Sequence, residues 1–415
     1  MSTDELYTFE RSDTLMSRAR RVIPHGIYGH QSPMLLTPDA YPSFLARGEG
    51  CRIWDVDGNA YIDFMCSYGP IVLGHRHPRV EEAVRSQLAR ADCMNLPGET
   101  WVELAELLVE ITPWADWAVF AKNGSDVTTW SLRVARVHTG RPKIVSAAGT
   151  YHGIGAWCTP SEAGITEADR IDILTFTYND LEDLRRVVTG HRGDVAAIIL
   201  TPFRHEAFHD SEMPAPGFLE GVRALCDQEG IVLIYDDVRA GFRLHLGGSG
   251  EHFGVRPDLT CYCKAIANGY ALAAGLGREE LREAAKQVFF TGSYWTAGAP
   301  LAAGLATTQA LRDEGGIEKM KAAGTRFRQG LGQQARSLGL AIKQSGPPAI
   351  PFMTFVEDEG FERNRLFCGE CARRGVFLHP HHNWFLSAAH TEADIDEALA
   401  VTEVGFKVVK ERFGA

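Results

Sequence analysis

Short apolar runs alternate with amphipathic stretches through the middle of the chain. Runs rich in Val, Ile, Leu and aromatic residues predict buried strands at 117–121, 143–148, 172–178, 195–200, 231–237 and 258–263. Apolar residues recur at helical spacing in 100–111, 127–137 and 218–226, which predicts helices with one buried side. Buried strands that alternate with such helices predict a mainly parallel sheet covered on both faces.

The two ends of the chain have a different pattern. Extended segments in 44–64 flank Asp57-Gly58, which indicates a hairpin. The C-terminal part predicts helices at 300–311 and 317–338, short strands near 341–345, 351–356 and 375–380, and a helix at 392–412. We expect strands from both ends to share one sheet. The predicted fold class is therefore α/β, with a large domain (76–310) and a smaller α+β domain built from 1–75 and 311–415.

Composition limits the classes of partner and location. The chain has 42 Lys and Arg against 53 Asp and Glu, and its net charge of −11 argues against nucleic acid or an anionic membrane surface as a partner. The first residues carry scattered charges without an apolar core, and no apolar run is long enough to span a bilayer. Nine cysteines, an odd number at irregular spacings, predict reduced thiols in the cytoplasm. The lone pair Cys368 and Cys371 favours a plain structural role over a zinc or redox site.

The loops that follow the predicted strands contain candidate chemistry, because ligands of parallel sheets bind beyond the carboxyl ends of the strands. Gly124 and Ser125 enter a helix and suit a phosphate, although the segment also fits a plain turn with a helix cap. Tyr151 and His152 follow the second strand of the series. They could stack on a flat ring or simply line the edge of the core.

Three later positions add a charge, an amine and a hydroxyl. Asp236 ends an apolar strand and could pair with a protonated ring nitrogen, or cap a helix. Lys264 follows another buried strand, where desolvation can yield a nucleophilic amine, although an ordinary lysine at a strand end is the plainer alternative. Ser293 lies in a Gly-Ser loop before a helix of small residues. A phosphate cradle, a stacking aromatic ring, an acid for a pyridinium nitrogen and a Schiff-base lysine are together what pyridoxal phosphate (PLP) requires.

The order and spacing of these motifs resemble a known family. The chain resembles the class III (ω-amino acid) aminotransferases of PLP fold type I, especially their glutamate-1-semialdehyde aminomutase-like branch. The resemblance covers nearly the whole chain and rests on segments 48–78, 123–126, 143–153, 234–243, 253–269, 292–304 and 388–399. The most specific part is the Asp236-Asp237-Val238 block with Lys264 downstream.

The resemblance implies roles for the cofactor residues. Lys264 would form the Schiff base with PLP, and Asp236 would pair with the pyridine nitrogen. Gly124 and Ser125 would hold the phosphate. The aromatic pair would lie against the ring, with Tyr151 stacked on it and His152 behind.

It also implies an assembly and a substrate region. Ser293 stands where the family usually has a threonine that reaches the phosphate of the partner subunit, which implies a homodimer with shared active sites. Tyr68 stands where the aminomutase branch has a tryptophan near the substrate.

The chain departs from its relatives at positions outside the cofactor motifs. Thr201 replaces a common glutamate, and Arg204 follows it closely. Arg204, Arg239 and Arg243 are candidates for gripping a substrate carboxylate, and Arg243 also fits a structural ion pair. The cluster His379, His381 and His382 suggests pocket-lining or solvated histidines rather than a metal site, and we expect no metal.

The preferred hypothesis is a PLP-dependent aminotransferase that moves an amino group between an amine or an ω- or β-amino acid and an oxo acid or aldehyde. An intramolecular aminomutase is the main alternative. A racemase, a decarboxylase and a non-catalytic protein of the same fold are smaller ones. The patterns leave the donor, the acceptor and the stereochemistry open.

Overall fold

The structure is a computed structural model that describes residues 6–29, 32, 38 and 41–414. Its strands are β1 (Leu45–Glu49), β2 (Arg52–Asp55), β3 (Ala60–Asp63), β4 (Trp117–Ala121), β5 (Lys143–Ala147), β6 (Ile173–Phe176), β7 (Val195–Leu200), β8 (Val232–Asp236), β9 (Leu259–Tyr262), β10 (Ala273–Gly277), β11 (Ile342–Ser345), β12 (Phe352–Phe355) and β13 (Val376–Phe377). Its α-helices are α1 (Glu10–Ala19), α2 (Pro78–Leu88), α3 (Thr100–Ile111), α4 (Gly124–Thr139), α5 (Glu167–Arg170), α6 (Leu181–Gly190), α7 (Phe218–Glu229), α8 (Ser249–Phe253), α9 (Arg282–Gln287), α10 (Gly298–Asp313), α11 (Gly316–Leu338), α12 (Glu362–Ala372) and α13 (Glu392–Phe413). Single 3₁₀ turns occur at Cys66–Tyr68, Lys264–Ala267 and Glu279–Leu281.

The chain divides into two compact units. The central unit comprises Pro78–Glu206 and Glu212–Ile317, and the terminal unit comprises Met1–His77, Ala207–Ser211 and Glu318–Ala415. The predicted domain boundaries after residues 75 and 310 stay predictions. The short segment Ala207–Ser211, which the sequence analysis placed in the large domain, packs with the terminal unit.

The terminal unit joins strands from both ends of the chain. Its larger sheet has the order β1-β2-β3-β13, and β13 lies parallel to β3 with Val376 opposite Ile62. This arrangement confirms the shared sheet expected from the sequence. Strands β11 and β12 form a separate antiparallel pair.

The central unit contains a seven-stranded sheet in the order β4-β10-β9-β8-β7-β5-β6. The predicted strands are present, and β6, β5, β7, β8 and β9 run parallel to one another. Strand β10, which was not predicted from the sequence, lies antiparallel between β4 and β9. Its Ala-Ala-Gly-Leu-Gly sequence lacks the β-branched residues that mark a strand. A Cβ on Gly275 or Gly277 would lie 2.8 or 2.3 Å from the ring of Trp130 or Trp117, so close packing selects glycine there.

The two faces of the central sheet bury different side chains. Ala197, Ile199 and Ile234 pack with residues of α4 on one face, whereas Ile198 and Leu233 pack with residues of α7 on the other. The alternation along β8 therefore places Asp236 on the α4 face. Within the described residues, no helix is both long and apolar enough to cross a membrane.

Candidate active site

The carboxyl edge of the central sheet gathers several of the predicted residues. Asp236 is the last residue of β8 and lies opposite Cys261 of β9. Lys264 begins the 3₁₀ turn that follows β9. The loop after β4 begins α4 at Gly124, and the loop after β5 contains Tyr151 and His152. Parallel strands bring these loops to one edge of the sheet.

Asp236 is held by a buried histidine. Asp236 Oδ2 lies 2.7 Å from His152 Nδ1, and both residues are buried. Because a carboxylate only accepts hydrogen bonds, Nδ1 carries the proton. His152 Nε2 in turn lies 3.1 Å from the hydroxyl oxygens of Ser146 and Thr150. His152 therefore positions Asp236. Ser146 and Thr150, which were not predicted from the sequence, hold the other side of the His152 ring.

The start of α4 forms a cradle for an anion. Asn123 caps the helix, and its N–H donates to Asp126 Oδ2 at 2.8 Å. The first N–H groups of the helix have no acceptor within it, and they lie at the positive end of the helix dipole. Ser125 Oγ accepts a hydrogen bond from the N–H of Ile154 at 3.0 Å, which leaves the hydroxyl proton free to donate. The geometry of Gly124 and Ser125 suits a phosphate.

Two glycines keep this cradle open. A Cβ on Gly124 would lie 2.9 Å from Val238, and a Cβ on Gly153 would lie 2.3 Å from Ser125 Oγ. Gly153 also has a φ of +127°, which side chains rarely adopt. Gly124 was predicted from the sequence, whereas the need for glycine at 153 comes from its contact with Ser125 in the folded chain.

Lys264 is placed for amine chemistry. Burial lowers its pKa to about 7, and the nearby Arg239 guanidinium acts in the same direction. Its φ of +48° is unusual for a residue with a side chain. Tyr151 is half-buried, and burial raises the pKa of its hydroxyl. A neutral amine at ordinary pH is a nucleophile and a base, as PLP chemistry requires.

Asp237, the second acid of the Asp236-Asp237-Val238 block, has a structural role. Asp237 accepts hydrogen bonds from the N–H and hydroxyl of Ser249 at 2.7 and 2.5 Å. Burial raises its pKa to about 6. Asp237 therefore holds the start of α8 rather than facing a ligand.

The candidate carboxylate anchors have contacts of their own. Arg204 Nε donates to Glu206 Oε2 at 3.0 Å. Arg239 is buried and donates to the carbonyl of His205 at 2.6 Å. Arg243 is almost fully buried. A substrate role for Arg204 stays a prediction, because its guanidinium already has a carboxylate partner.

The remaining predicted residues lie in the terminal unit or at the surface. The Tyr68 ring meets the rings of His379 and His382 edge-on, and His381 stacks on Phe208. No group of three or more His, Cys, Asp or Glu side chains among the described residues is arranged to hold a metal. Cys368 and Cys371 are buried in α12. Ser293 is exposed in the segment that links α9 to α10.

Comparison with known proteins decides the family. The sequence pattern of Aminotransferase class-III matches residues 37–387. The chain belongs to the class III aminotransferases. This aminotransferase is 44% identical over 405 residues to the aminopentol aminotransferase of Sphingopyxis macrogoltabida, an alignment that covers 98% of this chain and 96% of the relative. It is 37% identical over 406 residues to the 3-aminobutyryl-CoA aminotransferase of Cloacimonas acidaminovorans, with 97% and 98% covered.

A solved structure supports both the fold and the cofactor. The PLP internal aldimine form of the FumI protein of Sphingopyxis sp. MTA144 superposes on this aminotransferase with a TM-score of 0.95 and 43% identity, over 98% of each chain. The predicted PLP fold type I is confirmed, and the enzyme is PLP-dependent. The glycine-walled cradle, the Asp236–His152 pair and the low-pKa Lys264 amine fit that cofactor.

Proposed function

We propose that Lys264, Asp236 and the start of α4 are the parts of this aminotransferase that hold PLP and transfer the amino group. The observation that carries the proposal is the position of Lys264, at the start of the turn after β9 and at the same sheet edge as the Asp236–His152 pair. Gly124 and Ser125 would hold the phosphate, and Tyr151 would stack on the ring. When bound, PLP supplies an electron sink for the carbanion that forms at the substrate carbon.

Each residue of the site would have a separate role in the reaction. Asp236, oriented by His152 and by the Val238 N–H at 3.2 Å, keeps a proton on a ring nitrogen. Lys264 Nζ takes the proton from the substrate carbon that bears the amine and returns a proton during transfer. Its pKa near 7 lets the same amine act as base and acid. Asp237 and Ser249 would act only by holding the adjoining loop.

A homodimer would complete the site. Ser293 is exposed, and its neighbours Phe289 and Tyr294 expose 78% and 68% of their surface. The adjacent segment at Leu96 is 76% exposed, and Gly298 N–H ties it to this region through the carbonyl of Asp92 at 3.0 Å. Such a cluster of exposed apolar side chains supports an interface with a second copy.

The free thiol state of all nine cysteines supports a cytoplasmic location.

Replacing Ser293 with alanine should weaken PLP retention and dimer stability together. Loss of one charge-assisted hydrogen bond predicts about tenfold weaker PLP binding. A cofactor that binds only the assembled form stabilises it by mass action, so the dimer should also dissociate more readily. Equilibrium dialysis and sedimentation measure the two quantities. Ser161→Ala, at another exposed serine, is the control, and unchanged PLP affinity in Ser293→Ala would count against the cross-subunit role.

The uptake of PLP should depend on pH through Lys264. The neutral amine reacts, so a pKa of about 7 predicts that the covalent uptake rate rises about tenfold from pH 6 to pH 8 and then levels off. Arg239→Met removes a positive charge that opposes protonation, so it should move the rise to higher pH. Absorbance after PLP is added to the apoenzyme measures the rate. A rate that keeps climbing above about pH 9 would show an ordinary lysine.

A panel of amines and amino acids tests the proposed function. Each compound is mixed with the holoenzyme, and the spectrum is followed for conversion of bound PLP to pyridoxamine phosphate. An added oxo acid should then restore the PLP form and release an aminated product. If one compound were isomerised without any oxo partner and no compound produced pyridoxamine phosphate, the aminomutase would replace the transferase.

A further inference from the structure

A buried serine lies behind the histidine that holds Asp236. Ser146 is on β5, opposite Ile199 of β7, which in turn lies opposite Ile234 of β8. Residues in register on neighbouring strands share a face, so the Ser146 side chain lies on the α4 face with Ile199 and Ile234. Ser146 is only 6% exposed. A hydroxyl in this apolar row needs a hydrogen-bond partner, and the proposed mechanism gives it no role.

Three contacts join the hydroxyls of Ser146 and Thr150 to the ring of His152. Ser146 Oγ lies 3.1 Å from His152 Nε2 and 3.0 Å from Thr150 Oγ1. Thr150 Oγ1 also lies 3.1 Å from His152 Nε2. Because both hydroxyls are equally far from the ring nitrogen, the directions of their protons decide which one donates to it.

The backbone takes the proton of the Thr150 hydroxyl. Thr150 Oγ1 donates to the carbonyl of Ala147 at 2.7 Å, which is shorter than its contacts with Ser146 and His152. A carbonyl oxygen only accepts, and a hydroxyl has one proton to donate. The hydrogen-bond partners therefore assign the donation to His152 Nε2 to the Ser146 hydroxyl.

The charges around Asp236 require that His152 Nε2 accepts this proton. His152 Nδ1 already donates to Asp236 Oδ2, so a second proton on Nε2 would make the ring a cation. The His152 side chain is fully buried, and in the proposed mechanism Asp236 also pairs with the protonated ring nitrogen of PLP. Two buried cations beside one carboxylate would leave a positive charge uncompensated, which is costly away from water. The ring is therefore neutral, with a lone pair on Nε2.

Trp157 fixes the plane of the same ring. Its indole stacks on His152 with the ring centroids 5.8 Å apart and the planes 11° apart. Trp157 Nε1 donates to Thr129 Oγ1 of α4 at 3.1 Å, which anchors the indole. Hydrogen bonds thus hold the His152 ring at both nitrogens, and Trp157 covers its face.

We propose that Ser146 is a positioning residue that keeps His152 neutral, so that Asp236 presents its full negative charge to the ring nitrogen of PLP. The hydrogen bond at one imidazole nitrogen sets the proton on the other. The proposal rests on the proposed function, since it is there that Asp236 serves the ring nitrogen. It assigns the role to Ser146 and not to Thr150, although both hydroxyls lie at the same distance from Nε2.

Nitrogen NMR of the holoenzyme tests where the protons are. In Ser146→Ala, Nε2 loses its donor and faces the Thr150 oxygen, which can accept, so a proton should move from the PLP ring nitrogen to His152. PLP labelled with nitrogen-15 in its ring should therefore give a protonated signal in wild type and shift toward the bare form in this variant. With labelled histidine, the signals absent from His152→Gln should show a bare Nε2 in wild type and a protonated Nε2 in Ser146→Ala.

Reaction rates separate positioning from a structural effect. Ser146→Ala should lower the maximal rate at which the best donor of the amine panel converts bound PLP to pyridoxamine phosphate by about tenfold, the effect of one hydrogen bond. The donor concentration at half-maximal rate and the Kd of PLP should stay within about twofold. Thr150→Val removes the other hydroxyl and keeps the shape of the side chain. It should leave the rate within about threefold of wild type and both NMR signals unchanged.

Ser131→Ala is the matched control. Ser131 is another buried serine of the central unit, 1% exposed, and it donates to the carbonyl of Thr128 at 2.7 Å. Its replacement should change neither signal. If Ser146→Ala does not fold, Ser146→Cys takes its place, because a thiol of similar size is a weaker donor.

Two results would overturn the role of Ser146. One is a protonated His152 Nε2 in wild type, and the other is an effect of Thr150→Val as large as that of Ser146→Ala. Failure of every amine and amino acid to form pyridoxamine phosphate would instead overturn the proposed function. The histidine signals would still show in that case whether Nε2 is bare.

Discussion

Lys264→Ala should lose turnover by roughly four orders of magnitude while it still binds PLP. General acid–base catalysis by a positioned side chain contributes ~10²–10⁴-fold, and this variant also loses the nucleophilic amine. The phosphate cradle at Gly124 and Ser125 and the contact with Asp236 remain, so the cofactor should stay bound. Initial rates and PLP content measure the two effects.

Borohydride trapping locates the reactive lysine independently of rates. Reduction turns a labile imine into a stable secondary amine, so the wild-type adduct should map to Lys264 and should be absent from Lys264→Ala. Lys143→Ala is the matched control, because Lys143 pairs with Asp172 at 3.3 Å at the start of β5, away from the carboxyl edge. An adduct on Lys122 or Lys143 would refute the site assignment.

Asp236→Asn should reduce turnover by about 10²–10³-fold, the scale on which single electrostatic partners in active sites act. An amide cannot hold a proton on the ring nitrogen as a carboxylate does, so the electron sink weakens. His152→Gln should cause a smaller loss, since it disturbs the orientation of Asp236 without removing its charge. The rate at which a good amino donor converts bound PLP to pyridoxamine phosphate measures the effect of both variants.

Asp227→Asn is the control for the loss of one carboxylate charge by the same substitution. Asp227 is exposed on α7 and forms an ion pair with Arg223 at 2.6 Å. Its replacement should leave turnover within about twofold of wild type, as for most surface changes. Turnover of Asp236→Asn within a factor of ten of wild type would show that Asp236 does not serve the ring nitrogen.

The large elements were predictable because burial imposes a period on the chain. The six predicted strands of the central sheet are all present, and the stripe at 127–137 falls within α4. Strand β10 was not predictable in this way, because its glycines are selected by the rings of Trp117 and Trp130 from other elements. A rule based on neighbours in sequence contains no information about such contacts.

The sequence by itself determined the α/β class, the order of the strands that lead to Gly124, Asp236 and Lys264, and the resemblance to the family. It did so because hydrophobic period and motif spacing are properties of the chain. Only the tertiary structure decided that His152 holds Asp236 and that Asp237 accepts the hydrogen bonds of Ser249. Hydrogen-bond partners and desolvation depend on which distant segments meet, and the lowered pKa of Lys264 arises from that burial and from Arg239.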